Sequence, residues 1–144
     1  MNVRRKFIKS SSLLLLMAGT IGYDTSFAKN KFISTHNKKT KGMVKHNVYF
    51  WLKEEVTESE KKGFEKGLNK FLSSIGEIDK AEIGIPAGTP DREVVDKSFG
   101  YSIFVSFKNV EDHNIYQGHP AHEVFINDFS SLWAKVQVFD SEVI

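Results

Sequence analysis

The chain has 144 residues, 40% of them hydrophobic, and a formal net charge of +2. It has no cysteine, which excludes a disulfide framework, a thiolate nucleophile and a lipid-anchored N-terminal cysteine. Residues 43–144 hold eleven Lys and Arg against seventeen Asp and Glu, a formal −6, so the basic balance belongs to the first 42 residues and the rest excludes itself as a nucleic-acid binder.

Residues 1–28 read as an export signal. Arg4, Arg5, Lys6 and Lys9 precede an uncharged run from Ser10 to Tyr23, and Ser26-Phe27-Ala28 offers the small residues a signal peptidase needs. The run is too short to span a bilayer, so no stable membrane anchor is expected after cleavage behind Ala28. Val3-Arg4-Arg5-Lys6-Phe7 also fits a twin-arginine pattern, with Val3 where Ser or Thr is usual. The expected location is periplasmic or extracellular. Residues 29–42 carry five lysines and are expected to be a flexible basic linker. Residues 43–144 form one domain without internal repeats.

That domain opens with a strand over 43–52. Val44, His46, Val48, Phe50 and Leu52 share one face, while Tyr49 and Trp51 stand on the other. Apolar groups on both faces call for cover on both: helices on one side, a second subunit on the other. Thr57 and Glu60 have capping-box spacing and start a helix to about Ser74, with Phe64, Leu68, Phe71, Leu72 and Ile75 on its apolar face. Gly63 and Gly67 each lower its propensity by about 1 kcal/mol relative to alanine. A second strand is expected over 77–85, a long polar loop and candidate lid over 86–98, and a third strand over 99–107. Asn109 can cap a short helix reaching Gly118. A further helix from Pro120 to about Trp133 has Val124, Phe125, Phe129, Leu132 and Trp133 as its apolar residues, and a last strand covers 135–140. The order β-α-β-β-α-α-β points to an α+β ferredoxin-like antiparallel sheet with helices on one face.

The stretch Tyr116-Gln117-Gly118-His119-Pro120-Ala121-His122-Glu123 carries the chemistry. Pro120 disfavours helical geometry at His119 and favours a helix start at itself. His119 therefore sits at a joint, and His122 falls in a first turn, where the positive end of the helix dipole favours a neutral imidazole.

Three features together resemble the stress-responsive dimeric α/β-barrel (Dabb) family. They are Met43-Val44-Lys45-His46 opening an alternating strand, a Thr-led first helix, and His119-Pro120-Ala121-His122 before a Phe-rich helix and a final Val138-Phe139-Asp140. The resemblance covers 43–142. It implies a homodimer whose sheets close into an α/β barrel. It also implies the functional residues of plant polyketide cyclases, which close rings without a cofactor; these fall on His46, Tyr116 and His122. An exported protein meets few acyl thioesters, so the cyclase substrate is not carried over.

A neutral imidazole can take a proton and a tyrosine can donate one, which suits cofactor-free acid/base work on a carbonyl compound. The expected site is a small apolar cavity with His46 and His122 converging and Tyr116 at its rim. Phe50 and Phe125 would line it for a small apolar carbonyl ligand, and His119 would support from the joint. No nucleophile-elbow serine is present for acyl-enzyme chemistry. His46, His119, His122 and Glu123 are potential metal ligands, but Pro120 splits their geometry, and neither metal nor cofactor is expected. The alternative is a non-catalytic stress-response or structural homodimer.

Overall fold

A computed structural model describes residues 40–144; the expected export signal over 1–28, and 29–39 of the basic arm, lie outside the described residues. The elements are β1 (Val44–Leu52), α1 (Glu58–Ser73), β2 (Lys80–Gly84), β3 (Tyr101–Phe107), α2 (Val110–Gln117), α3 (Pro120–Phe129), a 3-10 turn (Ser130–Leu132) and β4 (Trp133–Glu142). Among the described residues no helix is long and apolar enough to cross a membrane.

The sheet is antiparallel throughout, in the order β2-β3-β1-β4. This is the expected ferredoxin-like layer, with α1, α2 and α3 on one face. The expected barrel is not what forms. The sheet is open, with β2 and β4 as its two edges, and four twisted strands leave those edges too far apart to pair.

Alternation in β1 sets the layers. Val44, His46, Val48 and Phe50 are buried under the helices, opposite Phe107, Val105, Ile103 and Tyr101 of β3. In α1 the Thr57 hydroxyl accepts the Glu60 N–H and the Glu60 carboxylate accepts the Thr57 N–H, which fixes where the helix starts. Its residues Phe64, Leu68, Phe71 and Leu72 fill the core. Aromatic rings from three elements interlock there: Phe71 stacks on Phe125 at 4.7 Å between centroids, and Phe50 meets Phe64 at 5.3 Å.

Two expectations about α3 need correction. The helix stops at Phe129, and Trp133 opens β4 instead of closing the helix. Val124 is 53% exposed, because it lies on the flank of α3 that no element covers. The 86–98 loop is no lid over the histidines. Its end folds onto the opposite face of the sheet, where Ser98 accepts the Trp51 indole N–H at 2.9 Å and neighbouring Phe99 meets Tyr49 at 5.0 Å.

Candidate functional site

β4 lies at the edge of the sheet, and the helices do not fully cover it. The gap is a cavity of about 200 Å³ between β1, β4, α2 and α3. His46, Phe50, Tyr116, His122 and Phe125 all line it, together with Phe71, Gln117 and Trp133. Ile126, Val136 and Val138 line it too and remain 37%, 38% and 45% exposed, so they form its mouth. His119 does not line it. The Nδ1 atom of His119 accepts the Ala121 N–H at 3.1 Å, capping α3 in place of the usual Ser or Asp.

Local chemistry aims the side chains. Asn109 caps α2 by accepting the Asp112 N–H at 2.8 Å, and α2 then runs only to Gln117. Two residues, Gly118 and His119, make the joint. Tyr116 at the end of α2 and His122 in the first turn of α3 are brought to 5.0 Å between ring centroids. Tyr116 is not at the rim: it is 1% exposed and stands between His122 and His46, whose centroid is 5.4 Å away. Burial, and then the negative charge of Asp140, push its hydroxyl above the ordinary tyrosine range, so it stays a proton donor. That hydroxyl has no hydrogen-bond partner among the described residues.

The tautomers follow from the partners. The Nδ1–H of His122 donates to the Gln117 carbonyl at 3.2 Å, since a carbonyl can only accept. Its Nε2 is left with a free lone pair. Desolvation lowers the His122 pKa, so the ring is neutral near pH 7. His46 donates from Nδ1 to the Asp140 carboxylate at 2.6 Å. Burial nonetheless outweighs that carboxylate and lowers the His46 pKa as well. One further polar atom stands out: Trp133 Nε1 is buried beside the cavity with no hydrogen-bond partner.

Sequence reasoning missed His113 and Asp140. His113 Nε2 lies 3.4 Å from His46 Nδ1 and 3.2 Å from the Gln117 side-chain nitrogen. The signal available was the spacing 113, 116, 117 on one face of a capped helix. The potential ligands His46, His119, His122 and Glu123 do not gather; among the described residues, the group able to hold a metal is His46, His113 and Asp140. A larger open groove of about 790 Å³ runs between α1 and β2, past Glu65, Asn69 and Tyr101, and is not lined by His46, His113, His119 or His122.

An open ferredoxin-like sheet with a histidine on its first strand and a His-Pro-Ala-His joint defines a class. The sequence profile of the Stress Responsive A/B Barrel Domain (Dabb) matches residues 44–143, and the chain belongs to this family. It is similar to olivetolic acid cyclase of Cannabis sativa, 29% identical over 97 residues that cover 67% of this chain and 93% of the cyclase. Its fold is similar to hydroxynitrile lyase from Passiflora edulis, with a TM-score of 0.62 at 17% identity, covering 73% of this chain and 95% of the lyase. It is also similar to a dimeric ferredoxin-like protein of unknown function from Bacteroides fragilis, with a TM-score of 0.57 at 23% identity, covering 72% of this chain and 99% of the other. Likeness at 17% and 23% identity speaks to the fold alone.

Proposed function

We propose that the chain is an exported, homodimeric stress-response protein that binds a small apolar carbonyl compound between His46, Tyr116 and His122. The observation that carries this is the pairing of Tyr116 and His122. A buried phenol held protonated stands beside an imidazole whose Nδ1 is committed to a carbonyl and whose Nε2 is free. The cavity, at about 200 Å³, is smaller than the roughly 300–1,000 Å³ of drug-sized sites, which restricts the ligand to a small molecule. Apart from Tyr116 and the histidines its walls are mostly apolar. The orphan indole N–H of Trp133 supplies a second point where a ligand oxygen gains a hydrogen bond.

The same pair can do chemistry. His122 Nε2 takes a proton from the carbon beside a carbonyl, and Tyr116 donates to the oxygen on which charge develops. That is enolisation or aldol closure, and the relatives with a named activity are a cyclase and a lyase. The non-catalytic stress-response homodimer is backed more strongly by the comparisons than any particular reaction is, because the family takes its description from stress response. The dimer reading rests on the face of the sheet that no helix covers, where Phe104 and Phe139 lie exposed around Tyr49, and on a similar protein described as dimeric.

The linear diketone 2,6-heptanedione separates these readings. Binding should shift the Trp133 indole N–H resonance, and Trp133→Phe should weaken binding without unfolding the protein. Closure to 3-methylcyclohexenone with loss of water, faster than in buffer and lost in Tyr116→Phe, would mark an enzyme. Binding without closure leaves the non-catalytic homodimer. No shift at millimolar diketone contradicts a carbonyl ligand.

A further inference from the structure

We infer that His46, His113 and Asp140 form a binding site for one divalent transition-metal ion of the zinc class, beside the cavity and independent of the carbonyl reading. The argument begins with protons. Asp140 is a carboxylate that can only accept. His113 Nε2 faces the Gln117 side-chain nitrogen at 3.2 Å and His46 Nδ1 at 3.4 Å, so it accepts too. Two electron-rich atoms thus converge on the single hydrogen of His46 Nδ1, one at 2.6 Å and one at 3.4 Å. A cation placed there would meet three donors at once.

The spacing fits an ion. The three atoms are 2.6, 3.4 and 3.9 Å apart, against the roughly 3.3 Å between tetrahedral ligands at the zinc bond length of about 2.0 Å, so a swing of about 1 Å by the half-exposed Asp140 side chain completes the set. Two imidazoles and one carboxylate are the ligand chemistry of zinc and of iron(II), and are too nitrogen-rich for calcium or magnesium. Binding requires the His46 proton to leave Nδ1 and return to the ring at Nε2, a change of tautomer with no net loss of protons. The route in is open: the Asp140 side chain is 49% exposed, while that of His46 is buried at 4%. With three protein ligands, a fourth position remains for water or for the Gln117 amide oxygen.

The three ligands come from three elements. His46 and Asp140 face each other across the β1–β4 pair, and His113 comes from the middle of α2. An ion there would clip α2 to the two strands that form the cavity floor, and would hold Tyr116, one turn further along α2, in place.

The test uses the full chain, purified with chelator and then titrated with Zn²⁺ by calorimetry and with Co²⁺ by visible absorption. One ion per chain is expected, with a rise in melting temperature and the intense visible band of a low-coordinate Co²⁺ site. His113→Leu and Asp140→Asn should each weaken binding by roughly 100-fold or more, above the 10–100-fold typical of losing only an outer-shell partner. His119→Ala, which removes a histidine elsewhere, should leave binding unchanged. Circular dichroism checks that each variant is folded, and Asp140→Asn keeps the side-chain volume should His113→Leu fail to fold. Absence of a one-to-one Zn²⁺ isotherm, or binding that survives in both ligand variants, overturns the site.

Discussion

Gly63 and Gly67 sit about one turn apart on α1, yet alanine at each should move stability in opposite directions. Both substitutions gain about 1 kcal/mol of helix propensity. A Cβ at Gly63 meets nothing within 4 Å, so that gain is kept. At Gly67 the new carbon would stand 2.2 Å from Cε2 and 2.4 Å from Cζ of Phe129. Carbon atoms rest at about 3.5–4.0 Å, so the ring must retreat by more than about 1 Å. It has little room, since its centroid is already 5.7 Å from that of Phe64 and 5.3 Å from that of Phe125. Overpacking of this kind costs roughly 1–3 kcal/mol. The net for Gly67→Ala is a loss of about 1 kcal/mol, against a gain of about 1 kcal/mol for Gly63→Ala. Urea unfolding at constant m-value reads both. If Gly67→Ala proves as stable as Gly63→Ala, the packing of Phe129 on the α1 backbone is wrong, and with it the account of how α3 is seated.

His119→Ala should lower stability by about 1 kcal/mol through loss of the α3 cap, with Asn restoring it, while diketone binding persists. His122→Ala should do the reverse, costing binding and closure more than melting temperature; a sharp fall in melting temperature with binding intact would make His122 structural. Tyr101 titrates late: burial, and then donation to Glu65 at 2.8 Å, push it up to about 12. In the unfolded chain it ionises near pH 10. Its contribution to stability is therefore whole below about pH 10 and lost as the pH climbs towards 12. Phenolate absorbance should show this late step and Tyr101→Phe should remove it, whereas a single wave centred near pH 10 would contradict the burial argument. For export, secreted protein should begin at Lys29, and replacing Arg4 and Arg5 by Lys should stop secretion if the twin-arginine route is used; unchanged export would assign the general secretory route.

The elements were legible because each rests on local signals. Alternation from Val44 to Phe50 gave β1 its buried face, the Thr57 capping box started α1, and Pro120 started α3. His46, Tyr116 and His122 were readable as a group because a family motif links them. What stayed hidden depends on long-range pairing. Asp140 reaches His46 only because β4 lies beside β1 in a register that sets residues 94 apart side by side. No local pattern encodes that register. His113 shares a face of the weakly amphipathic α2 with Tyr116 and Gln117, and only the His46 and Asp140 side chains beside it single it out. Trp133 continues the helical spacing of its apolar neighbours, although the chain has already turned into β4 there. The barrel came from the resemblance, and the open β2 and β4 edges correct it.

The joint between α2 and α3 is only Gly118 and His119, and it is stitched by the His119 N–H to the Tyr116 carbonyl at 3.1 Å and by the His122 N–H to the His119 carbonyl at 2.9 Å. Tyr116 and His122 hang from its two sides, whereas His46 is mounted on the central sheet. The 5.0 Å spacing between the Tyr116 and His122 rings is therefore set within one two-residue joint, whereas the 5.4 Å from Tyr116 to His46 depends on how α2 seats on the sheet.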